Sequence, residues 1–370
     1  METRITPETA SALDVMDAAA AFSLRMQAAT QPELADLIRY YCAEASAAEQ
    51  VQLAEWARTL CRQHYGTKIY FRGLIEFSSY CRNNCYYCGL RRDNTRASRY
   101  RLSDAAILAC CQEGYQIGFR TFVLQSGEDP YYSDARLCSL VSDIKKRYPD
   151  CAVTLSVGER PYDSYQRLLE AGADRYLLRH ETADAAHYQQ LHPPELSLEQ
   201  RQQCLHHLKQ LGYQVGAGFM VDSPGQTDAT LAQDFIFLRE LQPHMIGIGP
   251  FIPHGDTPFA RHPRPTANRT LILLSLLRIM LPKVLLPATT ALATIDEQGR
   301  TKGFLAGANV VMPNLSPAKH RSAYAIYDHK LSTGLEAAEH VQELARLITA
   351  LGLTPNFSRG DYVDCCTAKE

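Results

Sequence analysis

Residues 76–92 read EFSSYCRNNCYYCGLRR and close an apolar run that begins near residue 69. Cys81, Cys85 and Cys88 stand there in a C-x3-C-x2-C spacing. Thiolates bind iron and zinc, and so short a spacing lets one loop wrap one metal centre. A closed structural zinc site takes four ligands, one more than this loop offers. On a cubic four-iron cluster three cysteines leave one iron open to a small molecule. Two readings stay beside that one: chance core cysteines, and zinc with a distant fourth ligand, although zinc loops usually come as C-x2-C pairs. Tyr86 and Tyr87, inside the loop, suit shielding a cluster or stacking on a ligand.

The chain around this loop has 370 residues, 46% of them hydrophobic, enough for one large domain with extensions or for two small ones. Its formal charge is -2, with no long basic or acidic run, which disfavours nucleic-acid binding by bulk electrostatics. Twelve cysteines spread over such a length fit reduced thiols better than a disulfide framework. The first residues, METRITPETA, lack the apolar core of a signal peptide. The most apolar run, residues 271–281, is broken by Arg278 and is too short to span a bilayer. The expectation is a soluble cytoplasmic protein.

Three regions are expected. Residues 1–62, rich in Ala, Gln, Glu and Leu and free of glycine, read as a helical N-terminal extension with solvated charged faces. Residues 63–330 alternate apolar runs with amphipathic segments. The runs are 69–77, 121–127, 152–158, 175–181, 214–221, 245–252, 284–290 and 309–313. Helix candidates between them are 103–114, 133–147, 162–171, 198–211, 227–241, 268–280 and a short one near 296–306. Eight strands alternating with helices predict an α/β fold, a (β/α)8 TIM barrel; an open doubly wound sheet is the alternative. Residues 331–370 read as a C-terminal helix, 335–351 with a solvated charged face, and a loose tail. Cys110 and Cys111 look like core thiols, and adjacent Cys365 and Cys366 carry no metal signal on their own.

In such barrels, active sites collect at the C-terminal strand ends. The polar residues fall there. The second run ends in Gln125, Ser126, Gly127 and Glu128, and the third in Ser156 and Glu159, with Thr154 two residues before Ser156. The fourth carries Arg179, His180, Glu181 and Thr182, the seventh Thr289 and Thr290, and the eighth Met312. Each has a plainer reading. SGEDP can be only a polar turn, Arg179 and Glu181 a surface ion pair, the threonines ordinary strand residues, and His180 and His254 packing or loop histidines. Gly216, Gly218, Gly247 and Gly249 permit a close approach of ligand or backbone, but they do not make a dinucleotide fingerprint.

The triplet resembles the cluster loop of the radical S-adenosylmethionine (SAM) superfamily. In that superfamily three cysteines hold a [4Fe-4S] cluster, SAM chelates the fourth iron, and reductive cleavage yields a 5'-deoxyadenosyl radical. Across roughly 65–330 the chain resembles the HydE family of [FeFe]-hydrogenase maturases. The blocks that carry this are CRNNCYYCGLRRDN, LQSGEDPYY, AGADRYLLRHET, GFMVDSPGQT, GIGPFIPHGDTP, LPATTA and GANVVMPN. The resemblance implies that Cys81, Cys85 and Cys88 bind the cluster and that Tyr87 lies against the adenine. Ser126, Gly127 and Glu128 would line the methionyl end of SAM, and Glu181 and Arg201 would hold its amino and carboxylate groups. Gln125, Thr154, Ser156, Arg179, Thr289, Thr290 and Met312 would line the substrate cavity, with Tyr324 and Tyr327 closing its far side. It also implies an organometallic substrate, a cysteine-bound iron carbonyl cyanide unit made by a partner maturase, HydG. Transient contact with other hydrogenase maturases follows. Some HydE proteins carry a second cysteine group after the eighth strand; residues 314–351 contain no cysteine here, so a single cluster is expected. Methylornithine synthase, with a similar GEDPYY block, is the related alternative. Biotin synthase stands further off, lacking evident second-cluster ligands here. A non-catalytic iron-sulfur or metal carrier is the alternative of another class.

Overall fold

Parallel strands that are covered on both faces must find a partner along each edge, and in this chain the ladder runs until it meets its own beginning. The computed structural model describes residues 12–366; the opening of the helical extension, the last four residues and the side chain of Cys366 lie outside the described residues. The first strand comes in two pieces, Lys68–Phe71 and Gly73–Ser78. From the second piece a six-stranded parallel sheet continues through Thr121–Ser126, Ala152–Ser156, Arg175–Leu177, Gln214–Ala217 and Met245–Ile246. Residues 284–287 then bridge Met245 to Leu285 and Pro287 to Val310. The eighth strand, Val310–Val311, pairs back onto Tyr70 and Phe71. The ring is closed, so the open-sheet alternative is excluded.

The seventh run is a bridge, not the strand expected over 284–290. Pro287 has no N–H to give the ladder, and Thr289 already stands at the N-cap of the helix Thr290–Ile295. A second short helix, Gly299–Leu305, follows where one was expected. The fourth strand also stops early, at Leu177. Glu181 lies in the left-handed region (φ 67°), so Arg179 and Glu181 do not alternate along a strand.

Side chains split between two cores. Phe122, Leu124, Val153, Leu155, Tyr176 and Val215 face the helices in the large outer core. Tyr70, Met245, Leu285 and Val310, with Leu177 and Met312 against them, form a separate cluster from alternate positions, inside the ring. Hydroxyls and one carboxylate written into the sequence start the helices. Ser103, Ser133, Asp184, Ser197 and Thr227 each accept from the backbone N–H three residues on. The N-terminal helices Ala12–Ala28, Gln31–Arg39 and Ala47–Tyr65 flank the barrel. Ser23 Oγ donates to Ile279 O at 2.6 Å, and Arg239 Nη1 donates to Ala29 O at 2.6 Å. No helix of the described residues is long and apolar enough to cross a membrane.

The tail is not loose. Thr354–Asn356 adds a parallel strand to Lys68–Tyr70, and Phe357 stacks on Phe71 with ring centroids 4.5 Å apart. The chain then crosses the barrel floor. Arg72, 1% exposed, donates to Gly360 O at 3.1 Å, and Arg175, 2% exposed, donates to Arg359 O at 2.7 Å. Asp361 sits 2.5 Å from Arg175 and 2.8 Å from Arg359. The helix expected over 335–351 is also shorter, Val341–Ala350, and Glu336 before it is buried against Arg300 instead of facing solvent.

Burial works against the charge of Asp361, but the guanidiniums of Arg175 and Arg359 outweigh it and hold the carboxyl well below its usual range. A carboxyl depressed in the folded state contributes stability above its unfolded pKa of about 3.9 and loses it as the pH falls further. Chemical denaturation should therefore show Asp361→Ala less stable by about 3 kcal/mol at pH 7, since a buried arginine loses its partner. The deficit should shrink below pH ~4. An equal deficit at both pH values would remove the ion pair from the account.

Candidate active site at the barrel mouth

Backbone bonds from several elements shape the cysteine loop. Arg82 N–H donates to Glu128 O at 2.9 Å, Tyr86 N–H to Leu191 O at 3.0 Å, and Gly89 N–H to Ile326 O at 2.9 Å. Arg99 folds underneath, donating to Leu90 O at 3.0 Å and Arg91 O at 2.8 Å. Gly127 brings the second strand against the loop: a Cβ there would strike Tyr80 O and Cys81 Cβ. Gly89 does the same on the opposite side, where a Cβ would meet Ala325 O and the His254 ring.

Burial raises the pKa of all three thiols, Cys88 to about 12, and the neighbouring sulfurs add to the rise at Cys85 and Cys88. Thiolates in such a place call for a metal to neutralise them. Among the described residues no three His, Cys, Asp or Glu side chains gather as a single ion would require. One zinc ion draws its sulfurs to within ~2.3 Å of a single point, whereas a four-iron cube takes one thiolate per iron. The thiols on one short loop fit the cube.

Inside the loop, Tyr87 is half-buried. Its hydroxyl lies 3.2 Å from His192 Nε2, and its ring meets that imidazole edge-on at 5.3 Å. The Glu128 carboxylate accepts from Glu159 N–H at 2.8 Å and from Arg82 Nε at 3.0 Å. Ser126 Oγ donates to Gly127 O at 2.7 Å. Arg201, 6% exposed, rides on the helix Leu198–Gln210; its Nε is engaged by Glu159, and its Nη1 donates to Arg179 O at 2.7 Å. Arg179 Nη2 and Glu181 Oε2 stand 3.2 Å apart but are not aligned for a hydrogen bond, so both are buried and unpartnered, like Arg179 Nε. The pair is an electrostatic contact that leaves donor and acceptor available.

Inside the ring, Gln125 and Ser156 are in register on neighbouring strands. Thr154 Oγ1 and Thr289 Oγ1 are buried without partners, and Thr289 does not cap its own helix. Thr290 instead turns its hydroxyl to Glu336, 2.6 Å away, and Met312 packs on the inner apolar cluster below. Tyr324 is 3% exposed, and burial raises the pKa of both Tyr324 and Tyr327. Gln125 and Ser156 stand at the C-terminal ends of their strands, Arg179 and Thr289 lie just beyond theirs, and Thr154 lies a layer deeper, in register with Arg175. The hydroxyl of Thr290 and the carboxylate of Glu128 are engaged by protein.

Sequence reasoning missed three features. Glu76, 1% exposed, meets Lys330 Nζ at 2.6 Å and Asn314 Nδ2 at 2.7 Å, and Lys330 also lies 5.1 Å from the Tyr324 ring. An acid inside the first strand was the available signal. His180 and Asp234 are both fully buried, 3.3 Å apart. Burial pulls His180 down to about 3 and pushes Asp234 well above the usual carboxylate range. His180 Nδ1 accepts from Gly218 N–H at 3.3 Å, and Asp234 Oδ1 accepts from Ala183 N–H at 2.5 Å, which braces the turn that carries Glu181. Last, a cleft of about 320 Å³ bounded by Arg82, Glu128, Asp134 and Arg160 opens outside the ring.

The orphaned donors and acceptors at the mouth and the thiol loop beside them are suited to hold a cluster and a charged cosubstrate. Comparison with known proteins agrees. The radical SAM superfamily matches residues 75–238. The HydE subunit of the [FeFe] hydrogenase maturase of Thermotoga maritima is 45% identical over 82% of this chain and 86% of its own length. The 3-methylornithine synthase of Methanosarcina barkeri is 29% identical over 81% and 83%. Among solved structures, methylornithine synthase (PylB) superposes with a TM-score of 0.79 at 25% identity, over 94% of this chain and 99% of that one. Identity over most of both lengths at this level settles the kinship: the chain is a radical SAM enzyme and belongs to the HydE family of [FeFe]-hydrogenase maturases.

Proposed function

We propose that the chain helps build the di-iron subcluster of [FeFe]-hydrogenase in the cytoplasm, acting on a cysteine-bound iron carbonyl cyanide unit handed over by a second maturase, HydG. The observation that carries this is the 45% identity to a HydE maturase, joined to the unpartnered buried donors of Arg179, Thr154 and Thr289. As a radical SAM enzyme the chain uses a [4Fe-4S] cluster and SAM, which together supply a 5'-deoxyadenosyl radical. Cys81, Cys85 and Cys88 hold the cluster. Tyr87 lies along the adenine, Ser126, Gly127 and Glu128 line the methionyl end, and Glu181 and Arg201 take the amino and carboxylate groups. Arg201 suits a carboxylate because its fork donates parallel hydrogen bonds.

The substrate is anionic, so Arg179 and the threonine hydroxyls anchor it and move no proton. These anchors would hold the cysteine sulfur of that unit toward the radical that the cluster and SAM would supply. Tyr324 and Tyr327, with Gln125, exclude water above it, and Met312 forms an apolar floor. Methylornithine synthesis is the second reading, favoured by the TM-score of 0.79 to that enzyme. Hydrogenase maturation in cells that lack their own HydE separates the two. Rescue by this chain supports the maturase, and failure of a well-expressed, cluster-loaded chain removes it.

Removing one cluster ligand should abolish the cluster. Anaerobically reconstituted Cys85→Ala should lack the visible iron-sulfur absorption of the wild type, and a full spectrum would refute the ligand set. Arg179→Ala should keep its cluster while substrate turnover falls on the order of a hundredfold, the usual loss for one buried donor in a water-excluded site. Cluster loss in that variant would contradict its place on the substrate side.

A further inference from the structure

A wholly buried hydroxyl without a partner destabilises the fold unless something else binds it. Tyr188 carries one: the residue is 1% exposed, and its OH makes no hydrogen bond. Its place is fixed. It lies on the helix Ala185–Leu191, and its ring stacks on His192 at 3.9 Å with 18° between the planes. His192 Nδ1 lies 3.0 Å from Tyr188 O, a carbonyl that only accepts, so Nδ1 bears the proton. The bare Nε2 then accepts from Tyr87 OH at 3.2 Å. The hydroxyl of Tyr87 is therefore engaged, and that of Tyr188 is left over. The charged and ionisable groups that act on it are Arg201, Glu159, Cys85 and Glu181. Arg201 gives Nε to Glu159 and Nη1 to Arg179 O, which leaves Nη2 for a ligand. The largest of these influences is the Arg201 cation, and it favours a phenol whose proton is turned toward an anion.

We propose that Tyr188 is a cosubstrate-binding residue whose hydroxyl donates a hydrogen bond to the carboxylate of SAM beside Arg201. This rests on the proposed seat of that amino-acid end between Glu181 and Arg201. A tyrosine on a two-turn helix reads in sequence as core, and nearly all of its ring is core.

Tyr188→Phe in the full, cluster-reconstituted chain tests it, because the ring and its stack on His192 remain. Equilibrium dialysis with SAM should show the Kd rising about tenfold, the loss expected for a hydrogen bond to a charged group. The melting temperature of the cluster-free variant should stay level or rise, since an unpaired buried hydroxyl has gone. Decarboxylated SAM should bind wild type and variant equally. An unchanged Kd for SAM, or equal weakening toward the decarboxylated analogue, overturns the assignment. A wild type that fails to bind SAM overturns the proposed function itself.

Discussion

Buried polar atoms must be paired, and the two ends of this barrel meet that demand differently. At the floor, Arg72 and Arg175 give Nη2 to the returning tail and Asp361 and Nη1 to Met245 Sδ and Thr121 Oγ1, so only the Nε of each is left over. Toward the mouth, Arg179, Glu181, Thr289 and Tyr188 all keep donors or acceptors unpaired. Here the protein's own chain closes one end, and the other is left for a ligand.

The cysteine loop takes its shape from protein bonds. Backbone donors at residues 82, 86 and 89 find carbonyls on the second strand's exit, a helix end and the covering segment. Arg99 gathers carbonyls of the loop itself. Folding therefore carries most of the ordering entropy before any metal arrives. That is the economy of a resident cofactor site, and it differs from small zinc modules in which metal binding is the folding energy. It also explains why glycines sit at 89 and 127, where a methyl group would push the loop away from its supports.

Local physics was legible in the sequence. The capping hydroxyls, the period-two burial of the strands and the three-cysteine spacing each depend on neighbours within a few residues. They placed the helices at 104–117, 134–147 and 228–241 within a few residues of where they lie. Long-range pairing was not legible. Glu76 and Lys330 are 254 residues apart, and Arg175 and Asp361 are 186 apart, so nothing local marks either as half of a pair. A polar tail read alone looks solvated, because the charges that bury it belong to strands. The left-handed Glu181 was hidden for the same reason: the Gly218 and Asp234 groups that brace its turn are not its sequence neighbours.

Closure of the mouth follows from the same accounting of partners. The segment after the eighth strand lays Tyr324 and Tyr327 over the ring, and Lys330 reaches down to Glu76. Asp328 ties that segment to the sixth run through Pro253 O and Gly255 N–H, while Glu336 ties it to Arg300 and Thr290. A carrier of iron or sulfur needs its metal loop accessible to a recipient, and a roof over that loop would obstruct delivery. A radical reaction needs the opposite, since an exposed carbon radical would abstract hydrogen from whatever reached it. A covering segment pinned by buried charge pairs, each of which would lose its partner on opening, is the arrangement that the second task requires.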